Sequence, residues 1–239
     1  MKPLSIAVLA LGAGGLVAAL NCPSALAQDK KAGAAAGDTF AYRILNKYSK
    51  EVRGELHFRL DKADAAGTTF SVSPVRGKGA APAQVYSYAP DGNWLRHPVE
   101  SRGKLVEYVF ATPFPAYVFP LEPGKSWSQR VKADAADGDR GRTVRVDGKV
   151  LRSERARVPA GEFDTIVIQR TVYAGDANQA YTETRTRQTE WYAPALGRAV
   201  RLERISEWRD IGMCGRGARC DMRGDWDLIE LIEARPAKR

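Results

Sequence analysis

The sequence has few of the side chains on which enzymes most often rely. Its 239 residues include two histidines and three cysteines. We find no Gly-x-Ser-x-Gly turn, Walker phosphate loop, His-Glu-x-x-His motif or dinucleotide-binding glycine pattern. We therefore expect a non-enzymatic protein with no catalytic residue, metal or cofactor. A hydrolase with an unrecognised site stays open as an alternative.

Neither histidine has the setting expected of a catalyst or a metal ligand. His57 lies on the polar face of an alternating segment, which predicts a solvated surface residue. His97 precedes Pro98 at the end of a predicted strand, so we expect a turn residue there.

Long apolar runs are also missing after the N-terminus. Lys2, the apolar stretch 4–20 and the small residues of Ala25-Leu26-Ala27 together predict a secretory signal peptide over residues 1–27, cleaved after Ala27. A transmembrane anchor would need about 20 strongly apolar residues. Cys22 allows a lipid-modified N-terminus, although Asn21 stands where a small residue is expected. We expect a soluble periplasmic or secreted protein without a membrane span after cleavage.

The charge balance is basic. Removing Lys2 with the signal leaves 36 basic and 28 acidic residues. Such an exported protein could meet anionic lipid head groups, lipopolysaccharide or acidic glycans. The alternative is an ordinary solvated surface, because the charge is spread over many strands. We do not expect nucleic acid as a partner, given the compartment.

The two cysteines that remain after cleavage, Cys214 and Cys220, flank a short segment with two glycines. In an oxidising compartment we expect them to form a disulfide. The histidines are not at ligand spacing from them, so a zinc site is not predicted.

Twelve short segments combine alternating or β-branched residues with flanking turn signals, which predicts an all-β protein. A mobile leader over residues 28–38, one β domain over 39–235 and a tail over 236–239 complete the organisation. We expect a single curved antiparallel sheet, or an open or half β-barrel, with little helix. The strands are 39–48, 51–60, 68–75, 84–88, 93–97, 104–110, 126–132, 143–151, 163–173, 181–192, 198–208 and 225–234.

An outer-membrane barrel is the rival architecture. It requires an apolar band on its outer face. Arg53, Glu55 and Arg59 stand at mid-strand on the outward face instead, so we do not favour it.

The segment 112–124 holds four prolines between apolar and aromatic residues. Proline at this density excludes a central strand or a helix. We expect either a rigid lid over an apolar cavity or a connection that plugs the core.

The segment 181–192 is polar on both faces. Such a strand lies at a sheet edge or lines a wet concave surface. An anionic envelope component could bind an interaction surface of arginines. The residues concerned are Arg185, Arg187, Arg198 and Arg201.

Two turn motifs carry a family resemblance. Val158-Pro159-Ala160-Gly161-Glu162-Phe163 leads through a strand to Trp191-Tyr192-Ala193-Pro194-Ala195-Leu196-Gly197-Arg198. This order resembles that of periplasmic all-β proteins of proteobacteria without assigned function, which are loosely similar to the half-barrels of lipoprotein carriers. The resemblance implies a curved antiparallel sheet and transfers no catalytic residue.

Aromatic content and the proline-rich segment suggest a ligand site. We expect a soluble cell-envelope protein that binds an apolar ligand, such as a lipid, in the concave face of its sheet. The predicted wall residues are Phe58, Tyr108, Phe114, Tyr117, Phe119 and Trp191.

Overall fold

The chain forms β-strands and no helix over the residues described. The computed structural model describes residues 35–237 except 77–78, 81, 137, 139, 176–182 and 210–219. The strands are β1 Thr39–Asn46, β2 Val52–Asp64, β3 Gly67–Arg76, β4 Gly79–Ala80, β5 Gln84–Tyr88, β6 Trp94–Ser101, β7 Lys104–Phe114, β8 Ser126–Ala135, β9 Arg142–Val158, β10 Gly161–Gly175, β11 Thr184–Ala193, β12 Arg198–Arg209 and β13 Asp221–Arg235. The predicted all-β class is confirmed.

Twelve of these strands close into an antiparallel barrel, and β4 is a two-residue extension beside β3. The strands follow one another around the barrel in chain order, and the first strand pairs with the last from Thr39↔Arg235 to Asn46↔Asp227. The prediction of about a dozen antiparallel strands is confirmed, but that of an open sheet or half-barrel is wrong. The closing pair joins the two ends of the chain, and alternation within one strand carries no information about such a distant partner.

The predicted proline–glycine turns are where the sequence motifs place them. Pro159 and Ala160 form the two-residue loop between β9 and β10, with Val158 paired to Gly161. The amide of Gly197 donates to the carbonyl of Pro194 at 3.0 Å in the turn from β11 to β12. Proline presets φ and glycine supplies a positive φ, so these residues suit tight connections.

The core consists of two groups of buried side chains inside the barrel. One group includes Trp94, Tyr108, Phe114 and Trp127. The other includes Tyr42, Phe58, Leu60, Phe70 and Leu231. Both groups are rich in aromatic rings, which bury a large area each.

One glycine in the core is required by close packing. A Cβ atom at Gly148 on β9 would lie 2.2 Å from the indole of Trp127 on β8. Trp127 pairs with Gly148 in register, and its Nε1 donates to the carbonyl of Pro115 at 2.9 Å. The missing side chain at Gly148 therefore makes room for the ring that anchors the proline-rich segment.

Three local predictions need correction. The polar strand β11 lies between β10 and β12 and is not an edge. β9 continues to Val158, past the predicted end at residue 151, because its charged residues alternate with buried Ala156 and Val158. His97 lies within β6, which continues through Pro98. The pairing of β6 with β5 ends at Arg96. Pro98, which lacks an amide hydrogen, is therefore tolerated because no residue of β5 pairs with it.

Candidate functional site

A cavity of about 180 Å³ lies inside the barrel, lined by residues of both core groups. Its wall is formed mainly by aromatic and aliphatic side chains. These are Phe40, Tyr42, Leu56, Phe58, Phe70, Tyr86, Tyr88, Trp94, Tyr117, Leu196, Leu202 and Ile229. An engineered apolar cavity of about 150 Å³ in another protein binds benzene. The space here can therefore hold an apolar group of similar size.

Polar side chains interrupt this apolar wall at a few places. Three arginines line the cavity, Arg170, Arg198 and Arg204, together with the carboxylates of Glu100 and Glu190. Charge in a wall of this kind costs free energy unless it is paired. How each of these groups is paired decides what the cavity can bind.

Arg170 and Glu190 form a buried ion pair between β10 and β11, with side chains that are 2 % and 4 % exposed. The hydroxyl of Tyr117 donates a hydrogen bond to the other oxygen of Glu190. Burial, the charge of Glu190 and that hydrogen bond raise the pKa of Tyr117 well above its usual value. The three groups form a satisfied network.

The proline-rich segment is attached to this network. Arg170 Nη1 donates to the carbonyl of Ala116 at 2.9 Å, and the amide of Tyr117 donates to Asn93 Oδ1 at 2.8 Å. Ala116 is fully buried and Leu121 is 6 % exposed. The described contacts are those of a packed plug, which is one of the two arrangements predicted for residues 112–124.

Arg204 is also paired. It forms an ion pair with Asp227 at 3.1 Å, and Arg53 contacts the same carboxylate at 3.2 Å. Nearby in the lining, Glu100 accepts a hydrogen bond from the hydroxyl of Ser206. Burial raises the pKa of Glu100, and the hydrogen bond from Ser206 opposes that change.

Arg198 differs from the other two arginines of the lining because no described carboxylate forms an ion pair with it, whereas Arg204, which also has a buried Nε without a hydrogen bond, is paired with Asp227. It begins β12, and its Nε and Nη1 atoms are buried without a hydrogen-bond partner among the described residues. Its guanidinium carbon lies 3.9 Å from the centre of the Phe40 ring and 4.9 Å and 5.0 Å from those of Phe58 and Phe70. The rings attract the cation through their negative faces, but they cannot accept N–H hydrogen bonds as an anionic oxygen does.

His97 lines the cavity as a neutral ring. It stacks on Trp94 with ring centres 4.0 Å apart, and its Nδ1 lies 2.8 Å from the carbonyl oxygen of Pro98. Burial lowers the pKa of His97 to about 3, with smaller contributions from Arg170 and Arg204. Its imidazole therefore serves as a packing group at neutral pH. His57, by contrast, is exposed beside Glu55, as predicted.

The predicted ligand-binding residues do not share one surface. Phe58 and Tyr117 line the cavity. Tyr108 and Phe114 are buried in the adjoining core, and Phe119 is 36 % exposed beside Tyr117 and Tyr192. Trp191 lies on the opposite face of β11 from Glu190, where its Nε1 donates to Glu154 at 2.5 Å and Arg201 stacks on its ring.

The predicted anion-binding arginines are divided between the two faces of the barrel. Arg185 and Arg187 are exposed and lie near Glu183 at 3.8 Å and Glu207 at 3.3 Å. Arg201 pairs with Glu230 at 3.1 Å. Arg198 alone of the four lines the interior cavity.

Sequence reasoning missed most of the cavity lining. Tyr42, Phe70, Tyr86 and Trp94 lie on predicted strands. Among them Phe70 stands between two polar residues, Thr69 and Ser71, and this alternation could have indicated its inward direction. Arg170 had no such signal. It follows Gln169 in a segment read as a β-branched strand, and its partner Glu190 is 20 positions away.

An outer groove of about 340 Å³ is lined by Tyr48, Trp226, Arg187 and Arg223, among others. Both arginines approach Glu207 at 3.3 Å. The lining also includes the carboxylate of Glu203, which pairs with Lys47 at 2.7 Å, so acidic and basic groups alternate around this groove. It includes one of the arginines predicted to bind an anionic envelope component.

Several predictions lie outside the described structure. Residues 1–34, which include the predicted signal peptide, are not described, and neither is Cys214. The Cys214–Cys220 disulfide therefore stays a prediction. Within the described ranges, no group of three or more His, Cys, Asp or Glu side chains is placed to hold a metal ion. Those ranges also contain no helix with the length and apolarity of a membrane span.

Comparison with known proteins identifies the fold. No protein-family model matches the sequence, and no curated protein matches it. The solved structure of "a putative lipoprotein from Parabacteroides distasonis ATCC 8503" is similar with a TM-score of 0.51 and 12% identity, covering 84% of this chain and 96% of that one.

Two further structures are more distant. "A putative exported protein with YmcC-like fold" from Bacteroides fragilis NCTC 9343 has a TM-score of 0.47 at 14% identity, covering 84% of this chain and 97% of that one. "The hypothetical lipoprotein YmcC from Escherichia coli (K12)" has a TM-score of 0.37 at 12% identity, covering 83% and 85%. At these identities, what the chain shares with the Parabacteroides protein is the fold.

Proposed function

We propose that this protein belongs to the bacterial cell envelope and holds a small apolar ligand inside its barrel. The observation that carries the proposal is the cavity of about 180 Å³ with its wall of aromatic and aliphatic side chains. Pockets that bind small molecules are concave, mostly apolar and equipped with a few polar groups. This cavity has those three properties.

The site of action is supported by two independent features. Residues 1–27 have the pattern of a secretory signal peptide. The similar solved structure from Parabacteroides distasonis is described as a lipoprotein. An envelope protein meets amphiphilic and apolar molecules in its surroundings, which fits an aromatic-lined interior.

Calorimetry with phenylethanol, a small uncharged aromatic alcohol, tests the proposal. We expect saturable binding to the wild-type protein, because the alcohol can bury its ring among the aromatic side chains. Leu202→Trp fills the cavity from β12, where Leu202 pairs with Ile229 and both residues line the space. This variant should weaken binding by about tenfold or more, since a loss of 1.4 kcal/mol corresponds to a factor of ten.

The matched control is Val109→Trp. Val109 is 48 % exposed, between the inward-facing Tyr108 and Phe110 of β7. It should bind phenylethanol like the wild type, and thermal unfolding should show that both variants are folded. Absence of saturable binding to the wild type, or equal binding by Leu202→Trp, would contradict the proposal.

A further inference from the structure

We infer that the barrel selects ligands with a singly charged acidic group, a carboxylate, and that Arg198 recognises it. This inference rests on the proposed function, because it names the chemical class of ligand for the same cavity. Its basis is a difference in pairing among the three arginines of the lining.

Two of these arginines are neutralised by the protein. Arg170 has the buried carboxylate of Glu190, and Arg204 has Asp227 at 3.1 Å. The lining carboxylates are engaged in turn, Glu190 by Arg170 and Tyr117 and Glu100 by Ser206. Arg198 is the lining arginine for which the described residues provide no carboxylate within ion-pair distance.

The surroundings of Arg198 explain why an anionic ligand would bind there. Its guanidinium carbon lies within 5.0 Å of the ring centres of Phe40, Phe58 and Phe70 and 5.3 Å from that of Tyr42. The Tyr42 hydroxyl donates to the carbonyl of Ala199; burial raises its pKa, and the neighbouring Arg198 opposes that change. Rings displace water and lower the local dielectric constant, which strengthens attraction to an incoming anion. Two buried N–H donors without partners leave a desolvation cost that an anionic oxygen would remove.

The charges in the cavity lining also limit the charge that a ligand can carry. One arginine without an ion pair favours a single negative charge on the ligand, and the lining carboxylate of Glu100, whose partner is the Ser206 hydroxyl, disfavours a second one. A dianion such as a phosphate monoester would therefore bury an unmatched charge at considerable cost. The adjoining wall of Phe40, Phe58, Phe70 and Leu56 suits an apolar body. A carboxylate joined to a small aromatic or aliphatic group satisfies both requirements.

Three compounds that share one carbon skeleton and differ in the end group test the inference by calorimetry at neutral pH. They are phenylacetate, phenylethanol and phenylethylamine. We expect phenylacetate to bind about tenfold or more tightly than phenylethanol, because hydrogen bonds between two charged groups are stronger than those to a neutral hydroxyl. Phenylethylamine should bind more weakly than the alcohol, because its ammonium would lie beside the guanidinium.

Arg198→Met should remove the preference, so that the ratio of the phenylacetate and phenylethanol affinities falls to about one or below. Arg155→Met is the control, since Arg155 is 68 % exposed in a surface pair with Asp164, and it should keep the preference. If Arg198→Met does not fold, Arg198→Lys replaces it in the test. The lysine keeps a positive charge but loses the guanidinium, so this variant should retain part of the preference for phenylacetate.

The outcomes separate the two proposals. If none of the compounds binds, both the cavity function and the selectivity fail. If phenylethanol binds and phenylacetate does not bind more tightly, the inference about Arg198 fails alone. It also fails if the preference persists in Arg198→Met, which would place the recognition of the acid elsewhere.

Discussion

Arg170 on β10 and Glu190 on β11 form an ion pair that is shielded from solvent inside the barrel. Arg170→Met would leave the Glu190 carboxylate buried with Tyr117 as its remaining partner. We expect the free energy of unfolding to fall by about 3–5 kcal/mol, the usual cost of breaking a buried pair from one side. Urea unfolding measures it.

The exposed pair of Arg155 and Asp164, 3.3 Å apart, provides a comparison. Arg155→Met should change the free energy of unfolding by less than about 1 kcal/mol. The double variant Arg170→Met, Glu190→Leu should recover much of the lost stability, because no charge is then buried alone. A single Arg170→Met variant as stable as Arg155→Met would contradict the structural importance of the pair.

Hydrogen exchange distinguishes a plug from a lid in the proline-rich segment 112–124. The amide of Tyr117 is held by Asn93 Oδ1 at 2.8 Å, and that of Ala116 by the carbonyl of Phe114 at 2.7 Å. We expect both amides to exchange as slowly as those of strand β10, because their hydrogen bonds break only when the barrel unfolds. Asn93→Ala should accelerate exchange at Tyr117. Fast exchange of this segment beside protected strands would instead indicate a lid.

His97 should make the stability depend on pH. Its pKa is lowered to about 3 in the folded protein by burial and is about 6.5 in an unfolded chain. Below pH 6.5 the unfolded state therefore binds more protons at His97 than the folded state does. The contribution of His97 to the free energy of unfolding is complete above pH 6.5 and is lost as the pH falls towards 3. Between pH 7 and pH 5 we expect a loss of about 2 kcal/mol from this residue.

The test is urea unfolding of the wild type and of His97→Phe at both pH values. Phenylalanine can keep the stacking on Trp94 but has no titrating group. The wild type should lose about 2 kcal/mol more than the variant over this range. Parallel curves for the two proteins would show that His97 is not buried as a neutral ring.

The cysteine pair leads to a prediction about exported protein. Alkylation of denatured, unreduced material should modify neither Cys214 nor Cys220, whereas prior reduction should expose both thiols. The disulfide should stabilise the fold by about 2 kcal/mol, because it closes a short loop. Mass spectrometry gives the number of modified thiols. Two reactive thiols without reduction would contradict the predicted bond.

Local patterns were sufficient to predict where most of the strands and several turns lie, although not where each strand ends. The alternation from Glu51 to Leu60 identified β2 because a period of two is specific to half-buried strands. The Pro159–Gly161 and Pro194–Gly197 turns were identified for a similar reason, since proline and glycine have restricted or exceptional φ values. Alternation and turn residues are local features of the sequence. They indicate strands and turns regardless of which strands pair with one another.

The closure of the barrel and the interior charges could not be read in the same way. The β1–β13 pair depends on residues nearly 200 positions apart, as in Thr39↔Arg235. Arg198 was grouped with Arg185, Arg187 and Arg201 as one predicted anion-binding surface on two neighbouring strands. Alternation along β12 places Arg198 on the same face as Leu202 and Arg204, which also line the cavity, and on the opposite face from Arg201. Which of these two faces is the interior one depends on the closure of the barrel.

The most direct test is native mass spectrometry of the protein released gently from the periplasm. The wild type and the surface variant Val109→Trp should carry a bound small molecule, whereas Leu202→Trp, with its cavity filled, should give the mass of the polypeptide alone. If the wild type also gives only the polypeptide mass, or if Leu202→Trp retains the same bound molecule, the barrel interior does not hold a ligand.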